Sequence, residues 1–143
     1  MLGMTPRSIA ACAASLAVLI GQMPLRGHHA FAAEYDRDKP ITLTGAMTKL
    51  EWTNPHARIY IDVKDDKGAV VNWDFELGPP NGLMRRGWNR NSLKPGMVVT
   101  IEGFLSKTNP RGANARAVKL PDGRQVFAGS SFDTGAAEEP SSK

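Results

Sequence analysis

Two short runs of this chain alternate apolar and polar side chains with a period of two, and the residues between them can only turn. In "RIYIDV" (58–63) Ile59, Ile61 and Val63 share one face, with Arg58, Tyr60 and Asp62 on the other. In "VVNWDFEL" (70–77) Val71, Trp73, Phe75 and Leu77 share one face, with Asn72, Asp74 and Glu76 opposite. Period two is the signature of a strand with one face on a core. "DDKG" (65–68) is tight-turn chemistry, so the pair reads as a β-hairpin.

The surrounding segments extend this reading. In "ITLTGAMTKLEW" (41–52), Ile41 and Leu43 lie on one parity and Leu50 and Trp52 on the other. A phase change within one strand, close to Gly45, implies a bulge or sharp bend. "PPNGLMRRGW" (79–88) breaks the alternation and predicts a short helical turn whose Leu83, Met84 and Trp88 plug one end of a barrel. "LKPGMVVTIEGFLSK" (93–107), "ANARAVKL" (113–120) and "RQVFAG" (124–129) supply the remaining strands. Three strands, a short helix, then two strands or more, with a bent first strand, is the layout of an all-β fold: a small OB-fold-like five-stranded barrel with one short helix between strands three and four. Ile59, Ile61, Trp73, Phe75 and Val99 are its expected interior.

Upstream of the barrel, residues 1–27 have the layout of a cleavable signal peptide: Arg7 as the charged start, the uncharged run "SIAACAASLAVLIG" (8–21), then "QMPLRG". The run is short of the roughly 20 residues that span a bilayer, and it continues past Cys12 where a lipoprotein box would end, so no stable membrane anchor is expected. Two cuts compete. One after Ala32 ("AFA") satisfies the small-residue rule but discards His28 and His29; one after Gly27 fits the distance from the apolar run and leaves His28 as the new N-terminus. Loss of the leader's two arginines lowers the formal charge from the +4 of the whole chain. Nothing then demands a polyanionic partner. The only cysteine leaves with the leader, so the mature chain is held by packing without disulfides. The expected organisation is a leader (1–27), an N-terminal arm (28–39), the barrel (40–129) and a small polar tail (130–143), expected to be disordered. The expected location is periplasmic or secreted.

In an OB-fold the loops after strands one and four flank the ligand face, and here they read "TNPHAR" (53–58) and "TNPRGANAR" (108–116). Asn-Pro is ordinary turn chemistry; the functional alternative is a mouth lined by Asn54, His56, Arg58, Tyr60, Asn109, Arg111 and Arg116.

The motifs "HHAFAAEYD", "EWTNPHARIYIDV", "NWDFELGPPNGLMRRGW" and "LKPGMVVTIEG" together resemble an uncharacterised family of exported bacterial proteins, domain of unknown function 6152. The resemblance covers nearly all of residues 28–130. It implies a small exported domain and supplies no activity. Members carry the His-His pair after an alanine-ending leader, as in "AHHSF"; Gly27 stands here where they have that alanine.

The chain's three histidines, His28, His29 and His56, make the sharpest chemical constellation. An N-terminal histidine chelates through amine and ring nitrogen together, a geometry suited to square-planar copper, and His56 would complete a three- or four-nitrogen site. The eleven residues between His29 and Ile41 reach roughly 35–40 Å when extended, enough to bring the arm to His56. Against this, the pair could ride on a free arm while His56 merely serves its turn. A nucleic-acid role conflicts with Asp62, Asp74 and Glu76 on the outer face. Motifs for nucleophilic, metalloprotease or phosphate-loop catalysis are missing, and Asp74 with Glu76 reads as a solvated strand face before an acid/base pair. Arg85 and Arg86 read as the solvated side of the short helix. The expectation is therefore an exported binding or accessory domain for a protein or small ligand, binding copper through its histidines. The alternatives are a histidine-brace copper enzyme and a protein–protein interaction module without metal.

Overall fold

The computed structural model describes residues 31–129. The six strands are β1 (Tyr35–Glu51), β2 (Arg58–Lys64), β3 (Val70–Glu76), β4 (Val98–Ser106), β5 (Gly112–Lys119) and β6 (Gln125–Phe127), with helix α1 (Pro80–Arg85) between β3 and β4. Residues 31–34 form a further helical turn before β1. The sheet order is β3-β2-β1-β4-β5-β6, and β3 also pairs with β5, so β1 to β5 close into a ring. Neighbours run antiparallel except at this closing seam. There, Asp74, Phe75 and Glu76 lie parallel to Gly112, Ala113 and Asn114.

The hairpin forms as its pattern dictates. Asp65 turns the chain with its Oδ1, which accepts the Lys67 N–H at 2.9 Å and the Ala69 N–H at 2.8 Å. Such a side chain bonding its own downstream backbone is what makes aspartate a turn residue. Seven pairs then zip β2 to β3, with Ile59 opposite Phe75 and Ile61 opposite Trp73.

The 17-residue β1 serves two partners, β4 along its first half and β2 along its second. A close approach to β2 precedes its single phase change. At Gly45 the strand comes so close to β2 that a Cβ would sit 2.4 Å from the Asp62 carbonyl oxygen. The bulge itself falls between Met47 and Lys49 and turns Leu50 onto the parity opposite Ile41 and Leu43. The strand also begins at Tyr35, upstream of the expected start at Ile41; the pairing with β4 is irregular between Tyr35 and Pro40, which accommodates the proline.

Helix α1 starts at a proline and ends at Gly87, whose φ of +87° lets Trp88 N–H return to the Leu83 carbonyl. Leu83 and Trp88 are buried, as expected of a plug. Met84 is instead 51% exposed. Adjacent residues of a helix point about 100° apart, and Leu83 takes the inward position.

The main core gathers Met47, Ile59, Ile61, Phe75, Leu77, Leu83, Val99, Ile101 and Val118. Trp73 faces this core but is only half-buried at its rim, tilted against Phe75 with ring centroids 6.4 Å apart. A second, smaller cluster lies outside the ring. Phe31 and Tyr35 pack on Phe104, with the Phe31 ring edge-on to that of Phe104 at a centroid distance of 6.0 Å. Edge-to-face contact is a favoured geometry for aromatic pairs. Lys107 fastens the same segment, its Nζ donating to the Ala32 carbonyl at 2.6 Å and its N–H to the Glu34 carbonyl at 2.9 Å. Among the described residues no helix is long and apolar enough to cross a membrane. The leader, His28, His29 and the tail 130–143 lie outside the described residues.

Candidate functional site

The outward face of the β2–β3 hairpin carries charge at consecutive ladder positions: Arg58 stands opposite Glu76, and Tyr60 opposite Asp74. Arg58 closes the arrangement, its Nη1 donating to Asp74 Oδ2 at 2.6 Å and its Nη2 to Glu76 Oε2 at 2.9 Å. Burial works against the guanidinium's charge, but the Asp74 bond and both carboxylates outweigh it and raise its pKa further.

Glu76 was expected on a solvated face and is instead 6% exposed. Its parity is outward, but Tyr35 and the loop after β1 cover it. His56 Nδ1 lies 3.0 Å from Oε1, and the buried Tyr35 phenol is close enough to feel the charge of the same carboxylate. Burial first, and then the neighbouring Glu76 charge, push that phenol well above its ordinary value. Arg58 and His56 thus engage the two oxygens of one buried carboxylate, as the desolvation cost of a buried charge requires. Beside them Tyr60 donates to Glu51 Oε2 at 2.9 Å, a bond that holds the Glu51 carboxyl below its usual range. Burial first, then the bond to Glu51, raises the Tyr60 phenol in turn.

Two adjoining hollows meet over Arg58 and Glu34. One, of about 510 Å³, is lined by Thr53, Asn54, Pro55 and His56 of the first Thr-Asn-Pro loop together with Glu51, Tyr60 and Glu76. The other, of about 250 Å³, is lined by Tyr35, Asp74 and, from the second loop, Thr108 and Asn109. The two loops do flank one mouth, although their backbones differ. The Asn54–Pro55 bond is cis, whereas Asn109 turns its loop by accepting the Arg111 N–H on its Oδ1 at 3.0 Å.

Asn54, His56, Arg58, Tyr60 and Asn109 therefore come together as expected. Arg111 and Arg116 do not join them. Arg111 is exposed and contributes its carbonyl to the Asp74 N–H at 3.0 Å, while the Arg116 guanidinium sits over the Phe104 ring, 5.7 Å from its centroid. Sequence reasoning missed Glu34, Tyr35, Glu51, Asp74 and Glu76 as parts of the site. The period-two pattern placed Asp74 and Glu76 on the right face, but nothing local announced that the segment before β1 folds over it.

The mouth is acid-rich, with Glu34, Glu51, Asp74 and Glu76 against one arginine whose two Nη atoms are both engaged. Among the described residues no three His, Cys, Asp or Glu side chains converge to hold a metal ion, and His56 is the histidine present. A carboxylate can only accept, so the His56 tautomer that suits its 3.0 Å contact with Glu76 carries the proton on Nδ1. Nε2 is then the nitrogen left for a ligand.

No curated protein matches the chain. A family model matches residues 17–115, more than half of the chain, taking in all three histidines and both Thr-Asn-Pro loops and stopping before Arg116 and β6. The chain belongs to the family of unknown function DUF6152.

Proposed function

We propose that this is an exported binding domain, an OB-like barrel whose ligand face lies between the two Thr-Asn-Pro loops, and that it binds copper there through His56 together with His28 and His29. The observation that carries this reading is the Glu76 contact to His56 Nδ1. A carboxylate behind one ring nitrogen is the arrangement that orients a metal-ligating histidine, fixes its tautomer and strengthens the other nitrogen as a ligand. The acidic lining favours a cation over an anion at the same place.

Two features of the segment before β1 support keeping the histidine pair beside the site. Phe31 is 2% exposed, so a cut after Ala32 would remove a core aromatic along with the histidines; the cut after Gly27 keeps both. Glu34 already lines the hollow that holds His56. His29 is therefore tethered to the mouth by five residues, whose extended reach is about 17 Å. That is a much shorter leash than the one measured back from Ile41.

The test is a Cu(II) titration of protein whose intact mass shows an N-terminus at His28. One equivalent is expected to bind, more weakly below about pH 6.5, where imidazoles in general take up protons. His56→Ala should remove most of the affinity, Glu76→Gln should reduce it about 10- to 100-fold, and one extra N-terminal residue should weaken it by blocking the amine. Unchanged affinity in His56→Ala would overturn the shared site, leaving copper on the arm alone.

A further inference from the structure

Away from the mouth, and sharing no residue with it, β6 and the end of α1 form a second surface of the opposite charge. Phe127 is 61% exposed beside half-buried Val126. Arg86 borders two adjoining hollows there, of about 380 and 160 Å³, and Arg124 borders the smaller. Among the described residues these arginines are the only charged side chains lining either hollow. The end of β6 is partly closed to strand addition, because Trp88 Nε1 donates to the Phe127 carbonyl at 3.0 Å and, just beyond the strand, Gly78 N–H to that of Ala128 at 2.8 Å. The surface therefore offers side chains: an aromatic face, the Arg86 guanidinium, and Arg124, whose Nε is engaged by Asp122 Oδ2 at 2.7 Å and whose remaining N–H groups face competition from that carboxylate.

The described chain ends at this same place. Gly129 is buried against Leu83, and a Cβ on it would lie 3.5 Å from Arg86 Nη1. The next fourteen residues, "SSFDTGAAEEPSSK", carry Asp133, Glu138 and Glu139 against Lys143 alone. Glu138 is nine residues beyond Gly129, a span of up to about 30 Å, ample to fold back. Such a tether supplies an effective concentration in the millimolar range, which lets weak, exposed ion pairs act together.

We propose that residues 130–143 dock back over the Arg86–Phe127 surface, with Glu138 and Glu139 against Arg86 and Arg124 and the apolar side chains of the segment covering Phe127. The test compares amide NMR spectra of the full mature chain and of a variant ending at Gly129. Removal of the tail should shift resonances of residues 84–88 and 124–126, not only those beside the cut. Adding the 130–143 peptide at millimolar concentration should reverse the shifts, less so at roughly 0.5 M salt and less so with both glutamates changed to Gln. Arg86→Glu in the full chain, at an exposed position, should reproduce the deletion spectrum around β6. Shifts confined to residues 127–129, with no effect of the peptide, would overturn the proposal; so would shifts centred on Phe31 and Phe104, which would put the tail on the other aromatic cluster.

Discussion

Glu76 Oε1 lies 3.0 Å from His56 Nδ1 while its other oxygen is held by Arg58 at 2.9 Å. One buried carboxylate is therefore shared by the Arg58 guanidinium and the His56 imidazole. Replacing it by glutamine keeps the shape and removes the charge, stranding Arg58 beside Asp74 alone. Breaking a fully buried pair costs ~3–5 kcal/mol, and partial solvent access at Arg58 and His56 lowers the expected loss for Glu76→Gln to about 2 kcal/mol. Urea unfolding measures it; an unchanged midpoint would mean the network contributes nothing to the fold.

Phe31 tests the N-terminal segment. It touches the Tyr35 and Phe104 rings. Phe31→Ala should cost about 3 kcal/mol, because those two rings cannot both close the gap. Protein beginning at Ala33 should show the same loss. If both are as stable as the chain beginning at His28, the outer aromatic cluster is dispensable and the argument for the upstream cut goes with it.

Phe75 and Trp73 occupy the same face two residues apart, and their burial separates them. Phe75 has no exposed surface, whereas Trp73 is half-buried at the rim. Phe75→Ala should therefore cost about 3–5 kcal/mol. Trp73→Ala, where solvent fills the space left, should cost less than half of that. Thermal melts of the two variants rank them, and the reverse order would mean that the hairpin packs on its tryptophan.

Both tyrosines of the chain are shifted in one direction, which gives a spectroscopic prediction. Tyr35 is raised by burial and by Glu76, and Tyr60 by burial and by its bond to Glu51, so neither phenolate should appear in the native absorbance titration at the ordinary value of 10.0. The linkage follows from the sign. An unfolded phenol ionises near ~10 while the native ones stay protonated, so the stability attached to them is complete below that pH and drains away as pH climbs above it. Tyr35→Phe should show a shallower alkaline decline, because the phenol that ionises on unfolding is gone. A native titration that overlays the unfolded one would contradict the burial of Tyr35.

The hairpin, the helix and the order of strands were legible because each is written locally: alternation in 58–63 and 70–77, a turn in 65–68, prolines before the helix. What was not legible depends on pairings far apart in the chain. The outward parity of Glu76 is visible in "NWDFEL", but its burial comes from Tyr35, forty-one residues earlier, and from a loop. Arg116 has the charge for the mouth and sits instead on Phe104, because β5 turns it toward the outer aromatic cluster. Thr-Asn-Pro occurs twice in one spelling and folds two ways, since the strands on either side decide what the turn must join.

The ring closes through a seam only three residues long, and two of its three β3 members, Asp74 and Glu76, are the carboxylates that Arg58 binds. A short parallel ladder between segments nearly forty residues apart is slow to form and is the first part of such a sheet to open. The Arg58 pairs to Asp74 and Glu76 lie within the β2–β3 hairpin and form with it, so the seam closes beside carboxylates that are already paired. Amide exchange at Asp74, whose N–H is held by the Arg111 carbonyl beside the seam, should run ahead of exchange in the rest of the β2–β3 hairpin, and any ligand that grips the Glu76 side should slow it.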